Sequence, residues 1–140
     1  MGERMQIGEV AERTGLSLRT IRYYEEVGLV VPSARSQGGF RLYTEPDLDR
    51  LQLTKRMKPL GFQLEEIREL LTILAPTGNT TEVEDPVGRL AEFSAAAERA
   101  CDDLRDKLHA AEEFALMLRT HKAAAGRKSK RQATAARPRR

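Results

Sequence analysis

Residues able to do covalent chemistry are few in this chain. A single cysteine, Cys101, excludes an intramolecular disulfide and a multi-cysteine zinc site. The two histidines, His109 and His121, fall in one long charged segment. No nucleophile, acid–base pair or glycine-rich phosphate loop stands in a recognisable arrangement, so neither an enzyme nor a cofactor is expected. What the chain offers is cations and hydrogen-bond donors. Arg19, Arg22 and Tyr23 lie off the apolar side of a short predicted helix. The last fifteen residues carry seven positive side chains and no negative one: Arg127, Lys128, Lys130, Arg131, Arg137, Arg139 and Arg140. Those residues hold all the excess of a net charge of +3. Such groups bind anions rather than make bonds, and a basic end attracts phosphate backbones without regard to sequence. It reads equally as a disordered, solubilising tail.

The elements that must position these groups are predicted to be mainly helical. The chain has 140 residues, 40% apolar and 32% charged, with no Trp. That length suits one small core plus an extended element. Ile7, Val10 and Ala11 have helical spacing until Gly15 interrupts, which predicts a helix over Ile7 to Thr14. Ser17 is placed to cap a second helix, Leu18 to Val27, that buries Leu18, Ile21 and Tyr24 or Val27. Two short helices around a glycine-containing turn make a helix-turn-helix. Between Val30 and Tyr43, Pro32, the pair Gly38-Gly39 and the alternation Phe40, Arg41, Leu42, Tyr43 predict a small hairpin, a wing. Thr44 with Asp47 resembles a helix cap. Leu48, Leu51, Leu53 or Thr54, and Met57 then mark a third helix that stops near Pro59 and Gly61. A fourth helix is expected over Glu65 to Leu74, and a polar linker over Thr77 to Glu84.

Asp85 and Pro86 make a good helix start. From there Val87, Leu90, Ser94, Ala97, Cys101, Leu104, Leu108, Ala111, Ala115 and Leu118 step alternately by three and four residues. That is a coiled-coil seam over more than four heptads. A helix of about 35 residues spans roughly 50 Å, more than the small N-terminal domain can cover, so a partner helix is expected. Cys101, near the middle of the seam, reads either as a small hydrophobe or as a thiol brought close to its copy. The expected division is a winged helix-turn-helix over 1–75, a linker over 76–85, a dimerisation helix over 86–121 and a basic, disordered tail over 122–140. Met1 to Val10 lacks the apolar run of a signal peptide, and no stretch approaches about 18 apolar residues, so a cytoplasmic protein without membrane contact is expected.

The run from Ile7 to Leu71, with TIRYYEEVGL, a wing ending GGFRLY, and LGFQLEEI after a helix, resembles the mercury-resistance-regulator (MerR) family of bacterial transcription factors. The resemblance covers about half the chain, and the long helix stands where the family has an antiparallel dimerisation helix. It implies that Arg19, Thr20, Arg22 and Tyr23 lie on or beside the surface facing the major groove, with Arg22 and Tyr24 as phosphate contacts or supports. It places Arg35, Arg41 and Tyr43 in a wing against the DNA backbone and Lys58 at a further phosphate. Each has a second reading. Tyr24 and Tyr43 could be core aromatics with a polar tip, Arg22 could pair with Glu25 or Glu26, and Phe40 and Phe62 read as packing residues at the wing bases.

By the same resemblance, the protein is a homodimer on a near-palindromic operator in double-stranded promoter DNA. It distorts an overlong spacer so that RNA polymerase holoenzyme engages both hexamers. The dimer surface would comprise Val87, Leu90, Ala97, Cys101, Leu104, Leu108, Ala111, Ala115 and Leu118. Metal-sensing relatives carry paired cysteines at the end of that helix, where this chain reads LMLRTHKAAAGRKSK, so no metal is expected. The rival readings are an architectural DNA-bending factor and a coiled-coil interaction protein.

Overall fold

The computed structural model describes residues 4–76 and 82–135. Helix α1 (Ile7–Thr14) ends where Gly15 takes φ 73°, a left-handed conformation that costs a glycine little. Ser17 accepts a hydrogen bond from the Thr20 amide at 3.1 Å and so starts α2 (Leu18–Glu26). Ile21 and Tyr24 are buried as the spacing requires, whereas Leu18, expected in the core, is exposed in the first turn of α2.

The wing is a hairpin of β2 (Ala34–Arg35) and β3 (Arg41–Thr44). A third strand not expected from the sequence, β1 (Arg4–Met5), pairs antiparallel with the other edge of β3, giving the order β1-β3-β2. Helix α3 (Glu45–Met57) begins with the Thr44–Asp47 cap: Thr44 N donates to Asp47 Oδ2 at 2.9 Å and Asp47 N to Thr44 Oγ1 at 3.4 Å. Asp47 is itself buried and also accepts from Ser33 N at 3.0 Å and Ser33 Oγ at 2.6 Å. One carboxylate thus joins the start of α3 to the chain entering the wing.

Leu48, Leu51, Thr54 and Met57 are the buried face of α3, so Thr54 rather than Leu53 takes the alternative position; its hydroxyl donates to the Arg50 carbonyl at 2.8 Å. A 3₁₀ turn (Lys58–Leu60) and Gly61 at φ 84° reverse the chain into α4 (Leu64–Leu74), which buries Ile67, Leu70 and Leu71. The predicted linker lies partly outside the described residues, which resume at Glu82. Asp85 Oδ1 then accepts from Gly88 N at 3.1 Å, and α5 (Pro86–Ala135) begins.

The chain divides into two units, Met1–Ala97 and Glu98–Arg140. The first holds the core, in which Met5, Val10, Ile21, Tyr24, Leu51 and Leu71 are among the buried side chains. The opening of α5 belongs to it. Arg89 grips Glu69 of α4 with two hydrogen bonds of 2.5 and 2.6 Å and also meets Glu92, and its guanidinium lies 4.8 Å from the Phe93 ring centroid. Phe93, off the expected seam, is the residue of α5 that enters the core, edge-on to Phe62 at 5.9 Å. Leu90 and Ala97, expected in a dimer seam, line an apolar groove in their own unit with Leu53, Leu60, Leu70 and Phe93. Val87 is exposed.

The second unit is the rest of α5. Cys101, Leu104, Leu108, Ala111, Ala115 and Leu118 are all exposed there. The helix does not stop near His121: it runs to Ala135, so the disordered tail expected from residue 122 is helical through that point. Ala, Lys, Arg and Gln, which dominate the segment, are strong helix formers, and that propensity outweighs its low complexity. Arg137, Arg139 and Arg140 lie outside the described residues. Among the described residues no helix is long and apolar enough to cross a membrane.

Candidate nucleic-acid interface

Arg19, Arg22 and Tyr23 are exposed on α2, on the sides away from Ile21 and Tyr24. Thr20 is half-buried and its hydroxyl shares a 2.8 Å hydrogen bond with Ser17, so it completes the helix cap as well as standing in the first turn. The C-terminal end of α2 is held from α4: Arg68 donates to the Val27 carbonyl at 2.7 Å and the Gly28 carbonyl at 2.9 Å. A guanidinium there satisfies two carbonyls that the helix leaves open and complements the negative end of its dipole.

The wing brings its cations to the same place. Arg22 and Arg41 line one surface groove with Gln6, Ile7, Glu25, Gly39 and Phe40. Arg41 Nε lies 2.5 Å from Glu25 Oε1, so the carboxylate expected beside Arg22 is engaged by the wing instead. In the β2–β3 register Arg35 stands directly opposite Arg41. Like charges facing across a strand pair destabilise it unless an anion lies between or beside them. Glu25 supplies part of that negative charge, and Arg35 donates to the Gly39 carbonyl at 3.1 Å. Arg41 remains more than half exposed, at 56%, so its remaining donors are open to a second anion. Lys58, exposed in the 3₁₀ turn, sits 5.9 Å from the Tyr24 ring centroid, which places a cation from the far end of α3 beside α2.

Two of the expected contacts are interior. Tyr24 is 1% exposed and Tyr43 0% exposed, so both pack in the core beneath the surface. The alternation that marks Tyr43 as a wing residue also turns it inward, because successive strand residues face opposite sides. Its hydroxyl has no hydrogen-bond partner among the described residues, and burial pushes its pKa up from 10.0 to about 12, with Glu25 adding to the rise. Phe40, read as a packing residue, is 66% exposed on the wing beside Gly38. Arg68, Glu25 and the bridging part of Asp47 have no signal in the spacing, because their partners lie 41, 16 and 14 residues away. Among the described residues no three His, Cys, Asp or Glu side chains come together as they would around a metal ion.

A surface with five cationic residues, Arg19, Arg22, Arg35, Arg41 and Lys58, and an exposed Tyr at a short helix beside a hairpin can bind a polyanion while leaving α2 free to face base edges. Comparisons with known proteins agree. The family described as "MerR HTH family regulatory protein" matches residues 5–73, and that described as "MerR, DNA binding" matches residues 48–119. The transcriptional regulator CueR of Salmonella typhi is 40% identical over 113 residues, 78% of this chain and 80% of that protein. Among solved structures, the N-terminal part of the Bacillus subtilis multidrug transporter activator MtaN is 30% identical with a TM-score of 0.53, covering 86% of this chain and 97% of that one. HiNmlR, a MerR family regulator lacking the sensor domain and solved bound to promoter DNA, is 25% identical with a TM-score of 0.57, covering 91% and 94%.

Proposed function

The chain belongs to the MerR family of DNA-binding transcription regulators, and from that premise we propose that it acts in the cytoplasm as a homodimer on a near-palindromic promoter operator. The observation that carries this reading is the convergence of Arg22 from α2 and Arg41 from the wing on one groove, with Arg35 opposite Arg41 and Lys58 beside Tyr24. Helix α2 meets the major groove through Arg19, Arg22 and Tyr23, and the wing cations meet phosphates. On binding, Arg41 exchanges part of its interaction with Glu25 for phosphate oxygens, a charge-assisted bond of similar kind.

The dimer forms through the distal part of α5. Leu104, Leu108 and Leu118 are 45%, 59% and 51% exposed in one chain. Contiguous apolar surface of that kind is buried by association. The seam then fixes the separation of the two copies of α2, and phosphate contacts from both subunits supply the free energy that bends and untwists the spacer for RNA polymerase, about 1–6 kcal/mol for bends of 40–90°. In a selection of bound duplexes from a randomised pool, the expected outcome is a two-fold symmetric consensus. A consensus without a dyad contradicts the reading.

A further inference from the structure

After Glu113 the sequence contains no Asp or Glu, while positive charge continues to its end. The structure gives that segment a form. Helix α5 continues through Ala135, and Arg119, Arg127, Lys128, Lys130 and Arg131 are all exposed on it. At 3.6 residues per turn Arg119, Arg127, Lys130 and Arg131 fall within about a third of the circumference, with Lys128 flanking them. Arg127 and Arg131 are one turn apart, about 6 Å along the axis. The apolar seam ends at Leu118: its next steps are Lys122, Ala125, Ser129 and Gln132, so the face beyond it is not a continuation of the coiled coil. Among the described residues no carboxylate forms an ion pair with these cations, unlike Arg105, which meets Asp102 at 2.7 Å earlier on the same helix.

We propose that this cationic end of α5, from Arg119 to Arg131, is a second nucleic-acid surface that binds the phosphate backbone of duplex DNA without reading its sequence. The inference rests on the reading of the chain as an operator-binding regulator. That reading makes duplex DNA the polyanion held at high effective concentration by the rest of the protein. Charge complementarity selects the partner class: a row of guanidinium and ammonium groups with no interspersed acid fits a uniform line of phosphates. It does not fit a protein surface of mixed sign.

The test compares the full chain with the variant Arg127→Gln, Lys128→Gln, Lys130→Gln, Arg131→Gln. Glutamine keeps the helix propensity and removes the charge. Affinity is measured against salt concentration on an operator fragment with long flanks and on a duplex of scrambled sequence. The variant's slope of log K against log salt is expected to be shallower by about 0.9 for each phosphate no longer neutralised, by the same amount on both duplexes. An Arg127→Lys, Arg131→Lys variant keeps the parental slope. Coincident slopes for the full chain and the glutamine variant overturn the proposal, as does a change confined to the operator. Loss of binding to single-stranded RNA or anionic vesicles with unchanged DNA slopes overturns it in favour of another polyanion. If the full chain shows no preference for any operator, the regulator reading fails, while the slopes on scrambled DNA still decide this inference.

Discussion

At the residue scale, Arg41 is central because it works in two electrostatic settings. In the free protein Glu25 offsets its charge and its repulsion from Arg35. In the proposed complex a phosphate takes that role. Arg41→Gln is expected to weaken operator binding and to reduce the salt slope by about 0.9 per subunit, with a modest fall in unfolding midpoint, because Arg41 is more than half exposed but Glu25, only 17% exposed, loses its cation. An unchanged slope means that Arg41 meets no phosphate. Tyr43 gives a different expectation. Its buried hydroxyl has no partner among the described residues, so Tyr43→Phe leaves stability unchanged or raises it by about 1 kcal/mol. The pH dependence follows from the raised pKa. The folded state keeps the phenol proton where the unfolded chain loses it, so this contribution is intact below pH 10 and is lost as pH climbs from 10.0 towards about 12. Urea unfolding across that window should give a flatter pH dependence for Tyr43→Phe than for the parent, and parallel curves contradict the assignment.

At the element scale, what is legible in the sequence is local. Ser17 capping α2, Thr44 with Asp47 at the start of α3, and Gly15 ending α1 are all set by residues a few positions apart. The features that escape depend on distance along the chain or on brevity. Strand β1 has two residues, too few to show alternation. Phe93 lies off the heptad seam and takes its place from Phe62, 31 positions earlier in the chain. The grip of Arg68 on the end of α2 and the reach of Asp47 to Ser33 join segments that no periodicity connects. Asp47 carries the clearest consequence. Removing its carboxylate takes away one half of the reciprocal cap on α3, leaving the Thr44 hydroxyl to accept from the backbone amide at position 47, and leaves the Ser33 and Thr44 amides without their acceptor. Asp47→Ala is expected to cost about 2–3 kcal/mol in urea unfolding, with Asp47→Asn losing less. A cost below about 0.5 kcal/mol means that the junction of wing and α3 is held elsewhere.

For the whole molecule, the proposed operator recognition depends on association, since a two-fold operator would need two copies of α2. The distal half of the predicted seam, from Cys101 to Leu118, is surface available to a partner, as its spacing indicates. At the start of the seam Val87 is exposed as well, while Leu90 and Ala97 are half-buried and line a groove of their own unit. The dimer determinants are therefore expected in the distal part of α5. The double variant Leu104→Glu, Leu108→Glu places like charges in that seam. It is expected to sediment as a monomer and to bind operator at least about 100-fold more weakly, a loss of roughly 3 kcal/mol. Retention of the dimer contradicts the seam. The most direct test of promoter recognition by a dimer is a footprint of the full chain on genomic DNA fragments from its source organism, mapped against promoter hexamers at fixed salt. The expected result is a protected near-palindrome within an overlong spacer, with enhanced cleavage at its centre where the duplex is distorted. Protection without dyad symmetry, or confined to regions away from promoters, would contradict it.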